Sequence, residues 1–318
     1  APSLAGPFYI AGEFSFNGME LQVNSLVAET DLESNLRVKG ELRSSGLLMR
    51  FLALSKFPDI MSSQWEGEVE ISRDESTDLA ALNNSSLGKL LSSSIVMPED
   101  IELRTEFLIS DGMMELTEGI FRLGEIKGTS SFSAGKDQFE GKVNLGHLNL
   151  DKLLVVEKGR AASFSLAEAE SRLAQVLSSL EVSENFTGNL MFSAEVVRHR
   201  GEAIRDIIVN AEVGREGVQL HEASALFPGG SAFTLAGSLR VEEGSPAFAG
   251  LASGKSDNLR ALLGWLTIET GTLPGDRLRR VIFDTKIAGT LASGSFTDLD
   301  LHIDTSNVRG GIAYAVTN

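Results

Sequence analysis

Residues 298–304 read DLDLHID, a strict alternation of apolar and polar positions. Successive side chains of an extended backbone point to opposite sides, so Leu299, Leu301 and Ile303 share one face and Asp298, Asp300, His302 and Asp304 the other. The same period of two recurs at Phe186, Leu190 and Phe192, and at Ile207, Val209, Ala211 and Val213. It returns at Phe233, Leu235, Leu239 and Val241, and at Phe283, Ile287 and Leu291. Short stretches rich in Gly, Ser, Asp and Asn separate these runs, which is hairpin spacing and predicts an antiparallel meander with one dry and one wet face.

Helical periodicity is confined to three places. Residues 165–180 open with a capping box, Ser165 with Glu168, and carry Leu166, Leu173, Val176, Leu177 and Leu180 along one stripe. Residues 257–266 place Leu259, Leu262, Leu263 and Leu266 on one face, and a weaker helix over 78–91 is interrupted by NNSS.

The order of elements repeats. GVQLHEASALFPGGSAFTLAGSLR (217–240) is followed by AFAGLASGKSDNLRALLGWL (247–266), and DGMMELTEGIFRLGEIKGTSSFSA (111–134) is followed by FEGKVNLGHLNLDKLL (139–154). A more divergent copy runs over 17–52. Self-similarity at this scale predicts one supersecondary unit laid down repeatedly, whose working part is a long surface and not a pocket. The expected fold is all-β with a few short helices, an elongated, curled antiparallel sheet built from repeated β units. An N-terminal β-repeat portion spans 1–160, with units near 5–60 and 100–158. A C-terminal portion spans 161–318 and opens with the helix at 165–180. The two are read as one continuous repeat domain, a piece of a longer chain.

Composition narrows the function. With 318 residues and 42% apolar content the chain can bury a sizeable core, and 32 Gly against 7 Pro suits many tight turns. A net charge of −16 spread along the chain argues against nucleic acid and against an anionic membrane surface. There is no cysteine, so no disulfide and no thiolate chemistry. No apolar run approaches the roughly 20 residues of a membrane helix, so any membrane contact is expected through segments outside this chain.

Catalytic constellations are missing from the sequence. His147, His199, His221 and His302 fall on separate strands or turns, without the spacing of a metal site, and read as solvated. The aspartates of residues 298–304 lack the tight loop that calcium needs. No G-x-S-x-G elbow occurs, and Gly229-Gly230 and Gly310-Gly311 read as turns or bulges. The basic clusters VRHR (197–200) and RLRR (277–280) read as solvated loops. No enzymatic activity, metal or cofactor is expected.

One series of residues carries a resemblance: Ala225, Phe227, Gly229, Gly230, Leu235, Gly237 and Leu239, then Ser256, Asn258, Leu259, Leu262, Leu263 and Leu266. Together with LNLDKLL (148–154), VRGGIAYAV (308–316) and the opening AGPFYIAGEFSFNGMELQV (5–23), it resembles the repeated core of the AsmA family of Gram-negative envelope proteins. That resemblance implies a periplasmic, taco-shaped repeating β-groove whose interior accommodates acyl chains, in a parent protein anchored in the inner membrane. The implied partners are phospholipid acyl chains, and the implied role is phospholipid transport between the two membranes. The expected groove-lining residues are Phe186, Leu190, Phe192, Val209, Phe233, Leu235, Leu239, Phe283, Ile287, Leu299, Leu301 and Ile303. The competing expectation is a structural or protein-interaction β-repeat module whose core is filled by its own side chains. A carbohydrate-active β-helix fits poorly with 2 Trp and 2 Tyr. Exposed edge strands would also allow envelope partners to join by strand addition.

Overall fold

The computed structural model describes residues 8–16, 19–30, 35–44, 47–56, 64–73, 100–153, 185–242, 244–271, 274–275 and 277–316. The expected helices over 78–91 and 165–180 lie outside the described residues. The chain is all-β with few helices and divides into two compact units, Ala1–Asn144 with Leu153–Val155, and Leu145–Lys152 with Val156–Asn318.

The first unit contains β1 (Phe8–Phe16), β2 (Met19–Thr30), β3 (Asn35–Ser44), β4 (Leu47–Lys56) and β5 (Trp65–Arg73). These are followed by β6 (Ile101–Ser110), β7 (Met113–Leu123), β8 (Ile126–Ala134) and β9 (Gln138–Asn149), the last of which runs across the division into the second unit. Each strand pairs antiparallel with the next from β1 through β8. Register decides the faces. Leu42, Met49, Ile71, Leu103, Phe121 and Gly128 lie in one row across six strands. The other face carries cross-strand ion pairs, Arg50 with Glu41, Arg104 with Glu68 and Arg122 with Glu102. All are exposed, so they contribute at most about 1 kcal/mol each and chiefly keep that face wet.

The second unit begins with the end of β9, followed by the short helix α1 (Leu150–Leu153), of which Leu153 falls in the first unit. It continues with β10 (Thr187–His199), β11 (Glu202–Gly214), β12 (Gly217–Phe227), β13 (Ser231–Glu242) and β14 (Ser245–Ser256). Then come α2 (Leu259–Trp265), β15 (Val281–Gly289), β16 (Ser293–Ile303) and β17 (Ser306–Ala315). These strands too form an antiparallel meander in chain order. Helix α2 is shorter than its leucine pattern suggests. The side chain of Asn258 accepts from the Ala261 N–H and caps it, and the first helical amides, Leu259 and Arg260, donate to the carbonyls of Arg279 and Leu278.

A correspondence other than the one expected, which paired 111–134 with 217–240, is visible atom by atom between β6–β7 and β15–β16. Thr105 in β6 and Thr285 in β15, at a spacing of 180 positions (105 to 285), are both buried. The Thr105 hydroxyl is 2.9 Å from the carbonyl oxygen of Thr117 and 3.2 Å from that of Glu106. The Thr285 hydroxyl is 3.0 Å from that of Thr297 and 3.2 Å from that of Lys286. Each lies opposite an extra residue in the next strand, Glu118 at φ 52 and Asp298 at φ 52. The backbone bonds that close the two hairpins also correspond, Gly124 donating to Asp100 and Asp304 donating to Arg280.

Two details correct the sequence reading of residues 298–304. Asp298 is a bulge residue, so the strict alternation begins at Leu299. Asp304 lies beyond the end of β16 in the hairpin turn, where its carboxylate accepts the N–H groups of Leu278, Arg279 and Arg280. The backbone of the RLRR segment is therefore fastened from two sides, by Asp304 and by α2.

Candidate functional site

In the second unit the strand registers collect the expected groove residues onto one face. Phe192 of β10 faces Val209 of β11, which faces Ala223 of β12, then Leu235 of β13, Ala252 of β14 and Thr285 of β15. One row further along, Ala225, Phe233, Gly254, Phe283, Leu301 and Val308 pair in succession. On the other side of the first row, Leu190 pairs with Ala211, and Gly237, Gly250, Ile287, Phe296 and Ile312 follow. Leu239 and Ile303 lie near the two ends of the same face, opposite Phe248 and Val281. Leu299 follows the Asp298 bulge and pairs with Gly310, on the side of Leu301. Phe186 precedes β10, and its ring lies 3.1 Å from where a Cβ on Gly188 would stand, so it covers the glycine of that face.

Chemically this face is uniform. The paired rows contain Gly, Ala, Val, Leu, Ile, Phe, a few hydroxyl residues and no charge. The hydroxyls of Ser231, Ser256, Thr285 and Tyr314 are turned into the protein. Ser231 donates to the Pro228 carbonyl and meets the Ser256 hydroxyl at 2.7 Å, Thr285 donates to carbonyls, and Tyr314 donates to the Thr290 carbonyl at 2.5 Å. What remains presented to a ligand is apolar.

The face is also incompletely covered. Leu190 is 40% exposed and Leu235 37%, whereas Leu299 is buried and the other expected groove residues are half-buried. Among the described residues the largest side chains that are fully buried are Ser231 and Ser256. A sandwich interior closed by its own side chains would place leucines and phenylalanines in that class.

Aromatic rings lie down on glycines of this face. Gly254 sits between Phe233 and Phe283, whose ring centroids are 6.0 Å apart, and ring atoms of both occupy the place of a Cβ. Phe248 covers the directly paired Gly237 and Gly250 in the same way. In the first unit Phe107 covers Gly67 and Phe121 covers Gly128. The first unit thus carries a comparable apolar face, with Phe51, Val69, Phe107, Leu116 and Phe121, which was not among the expected groove residues. The alternation of WEGEVEISR was the available signal for it.

The opposite face of the second unit is polar, with isolated apolar residues such as Leu251 and Ile282 exposed on it. Lys286 meets Asp298 at 2.7 Å, which raises its pKa, and Asp300 pairs with Arg309. Arg280, Ile282, Asp284, Asp300, His302 and Asp304 line a shallow depression there of about 400 Å3. Among the described residues no group of three His, Asp or Glu side chains is placed to hold a metal ion. His147, His221 and His302 are exposed, as the sequence suggested. His199 is not: its side chain is only 14% exposed, edge-on to Trp265, whose indole N–H donates to the His199 carbonyl. Asp151 of α1 accepts the amides of Arg200 and Gly201 and lies 3.5 Å from the His199 ring. Those amides, Gly201 first, hold the Asp151 carboxyl below its ordinary pKa.

No described helix is long and apolar enough to cross a membrane. Comparison with protein-family models, with curated proteins and with solved structures gives no match for this chain.

Proposed function

We propose that this chain is an AsmA-like periplasmic protein that binds phospholipid acyl chains along its apolar sheet face and serves lipid transport between the inner and outer membranes, without covalent chemistry. The observation that carries the reading is the uncharged, half-exposed face that runs in register from β10 to β17. Removing a methylene from water contributes roughly 0.8 kcal/mol, so about a dozen on such a face outweigh much of the ordering they require. The family resemblance of residues 225–266 supports the assignment to the envelope.

The test is native mass spectrometry with lipid extraction on protein purified from a Gram-negative periplasm. Wild type is expected to carry phospholipid and Leu235→Asp to lose it while keeping its circular dichroism spectrum. A stable wild-type monomer free of lipid would overturn the proposal in favour of an interaction module.

A further inference from the structure

We infer that Asp151, the turn between β10 and β11 and Trp265 form a proton-operated clip on one rim of the apolar face: a proton taken up by His199 tightens the clip and holds α2 against Phe227, and its loss loosens it. All of these residues belong to the second unit. The strand registers bring the ends of β10, β12, β14 and β16 to that rim, together with the starts of β11, β13, β15 and β17. There the turn is held from two sides. The Asp151 carboxylate accepts the Arg200 N–H at 2.7 Å and the Gly201 N–H at 3.0 Å. The Trp265 indole N–H donates to the His199 carbonyl at 3.0 Å, and Arg200 Nη1 donates to the Trp265 carbonyl at 3.4 Å. Trp265 in turn meets Phe227 at 6.0 Å, Phe227 meets Phe233 at 5.5 Å, and Phe233 meets Phe283 at 6.0 Å. A chain of rings thus joins the clip to the apolar face.

His199 stands at the centre of this arrangement with an unsatisfied atom. Its Nδ1 is buried and has no hydrogen-bond partner among the described residues, although Asp151 Oδ1 lies only 3.5 Å away. A buried nitrogen left in this way is costly, and a proton on the ring turns the near miss into a charge-assisted bond to the carboxylate. The other charges around the ring stay as they are across the neutral range. The amides of Gly201 and Arg200 hold the Asp151 carboxyl below its ordinary value, so it remains ionised. Lys152 follows it on α1, and the hairpin itself contributes Arg198, Arg200 and Glu202, the last paired directly with His199. From α2 comes the uncharged Trp265, and β9, which pairs with β10, ends in Leu148 and Asn149, with His147 exposed. Protonation of His199 is therefore the one change of charge inside the clip between about pH 8 and about pH 5. The clip acts on the rim whatever lies on the face, so it does not depend on the acyl-chain reading.

The experiment is hydrogen exchange followed by NMR on the full chain, without ligand, from about pH 8 to about pH 5, each rate being divided by the intrinsic rate of that group at the same pH. Protection of the Arg200 and Gly201 amides and of the Trp265 indole N–H is expected to rise at least about tenfold on acidification, in step with the chemical shift of the His199 ring. His199→Gln keeps a neutral polar side chain and is expected to abolish the rise, whereas His302→Gln, on the wet face, is expected to leave it intact. Protection in the wild type that is flat with pH would overturn the inference, as would the same rise in His199→Gln. An equal rise at amides throughout β16 would show a general gain in stability and overturn it too. If His199→Gln fails to fold, the wild-type profile decides, because a rise that does not follow the His199 ring signal sinks the clip.

Discussion

At the scale of single residues, the two buried threonines explain how the sheet bends its register without leaving carbonyls unsatisfied. Each hydroxyl reaches across to the carbonyl just before a left-handed acidic residue, a conformation that non-glycine residues adopt at a cost of order 1–2 kcal/mol. Thr285→Val keeps the shape and removes the donor. It is expected to destabilise the second unit by about 1–3 kcal/mol in urea denaturation, and Thr105→Val the first by a similar amount. A second residue-scale prediction concerns acid. The N–H of Arg280, then those of Arg279 and Leu278, with the charge of Arg277, hold the Asp304 carboxyl below its ordinary value. A carboxyl whose folded pKa lies below its unfolded one stabilises fully above the unfolded value, about 3.9, and loses that contribution as pH falls through the folded value. Asp304→Asn should therefore lower stability at neutral pH and flatten its decline on acidification, read from urea midpoints at a series of pH values. Neither role was legible in the sequence. TEGIF and TDLDL look like ordinary alternation, because a bulge is fixed by cross-strand pairing and not by local pattern. Asp304 read as the last wet residue of a strand because nothing local shows that residues 278–280 come back to meet it.

At the scale of elements, alternation was the dependable signal, because a strand with one dry face must write that face into its sequence at every second position. The registers therefore bring Phe192, Val209 and Leu235 together as the pattern implied. Glycines on the same face were less transparent. Gly237 and Gly250 pair directly, and a Cβ on either would stand within 2.6 Å of backbone atoms on the neighbouring strand. Gly237→Ala is expected to cost about 1–3 kcal/mol through displaced strands, measured by thermal melting, and to loosen the Phe248 ring, seen as faster exchange in its aromatic NMR signals. Gly254→Ala meets only ring atoms of Phe233 and Phe283, so the rings can yield and the loss should be smaller. The α2 leucine stripe was legible, whereas its fastening to residues 278 and 279 depended on contacts between segments distant in the fold's hydrogen bonding, which no periodicity encodes.

At the scale of the whole chain, every described strand of each unit pairs with its sequence neighbour, so contacts are local and stability accumulates hairpin by hairpin. Two compact units built this way are expected to unfold in separable steps, with Thr285→Val moving one step and Thr105→Val the other in a calorimetric scan. Coincident shifts would show a single cooperative block. The apolar face itself holds a further consequence. The hydroxyls of Ser231, Ser256, Thr285 and Tyr314 on it are spent on the protein's own carbonyls and on one another. On the proposed reading, a hydrocarbon tail lying along the described rows would find few groups to fix its position, so neighbouring placements would be nearly equal in energy. Under the proposed function the surface would act as an unmarked rail: it would impose little friction and store no direction, so choice of cargo and sense of travel would have to be imposed from elsewhere.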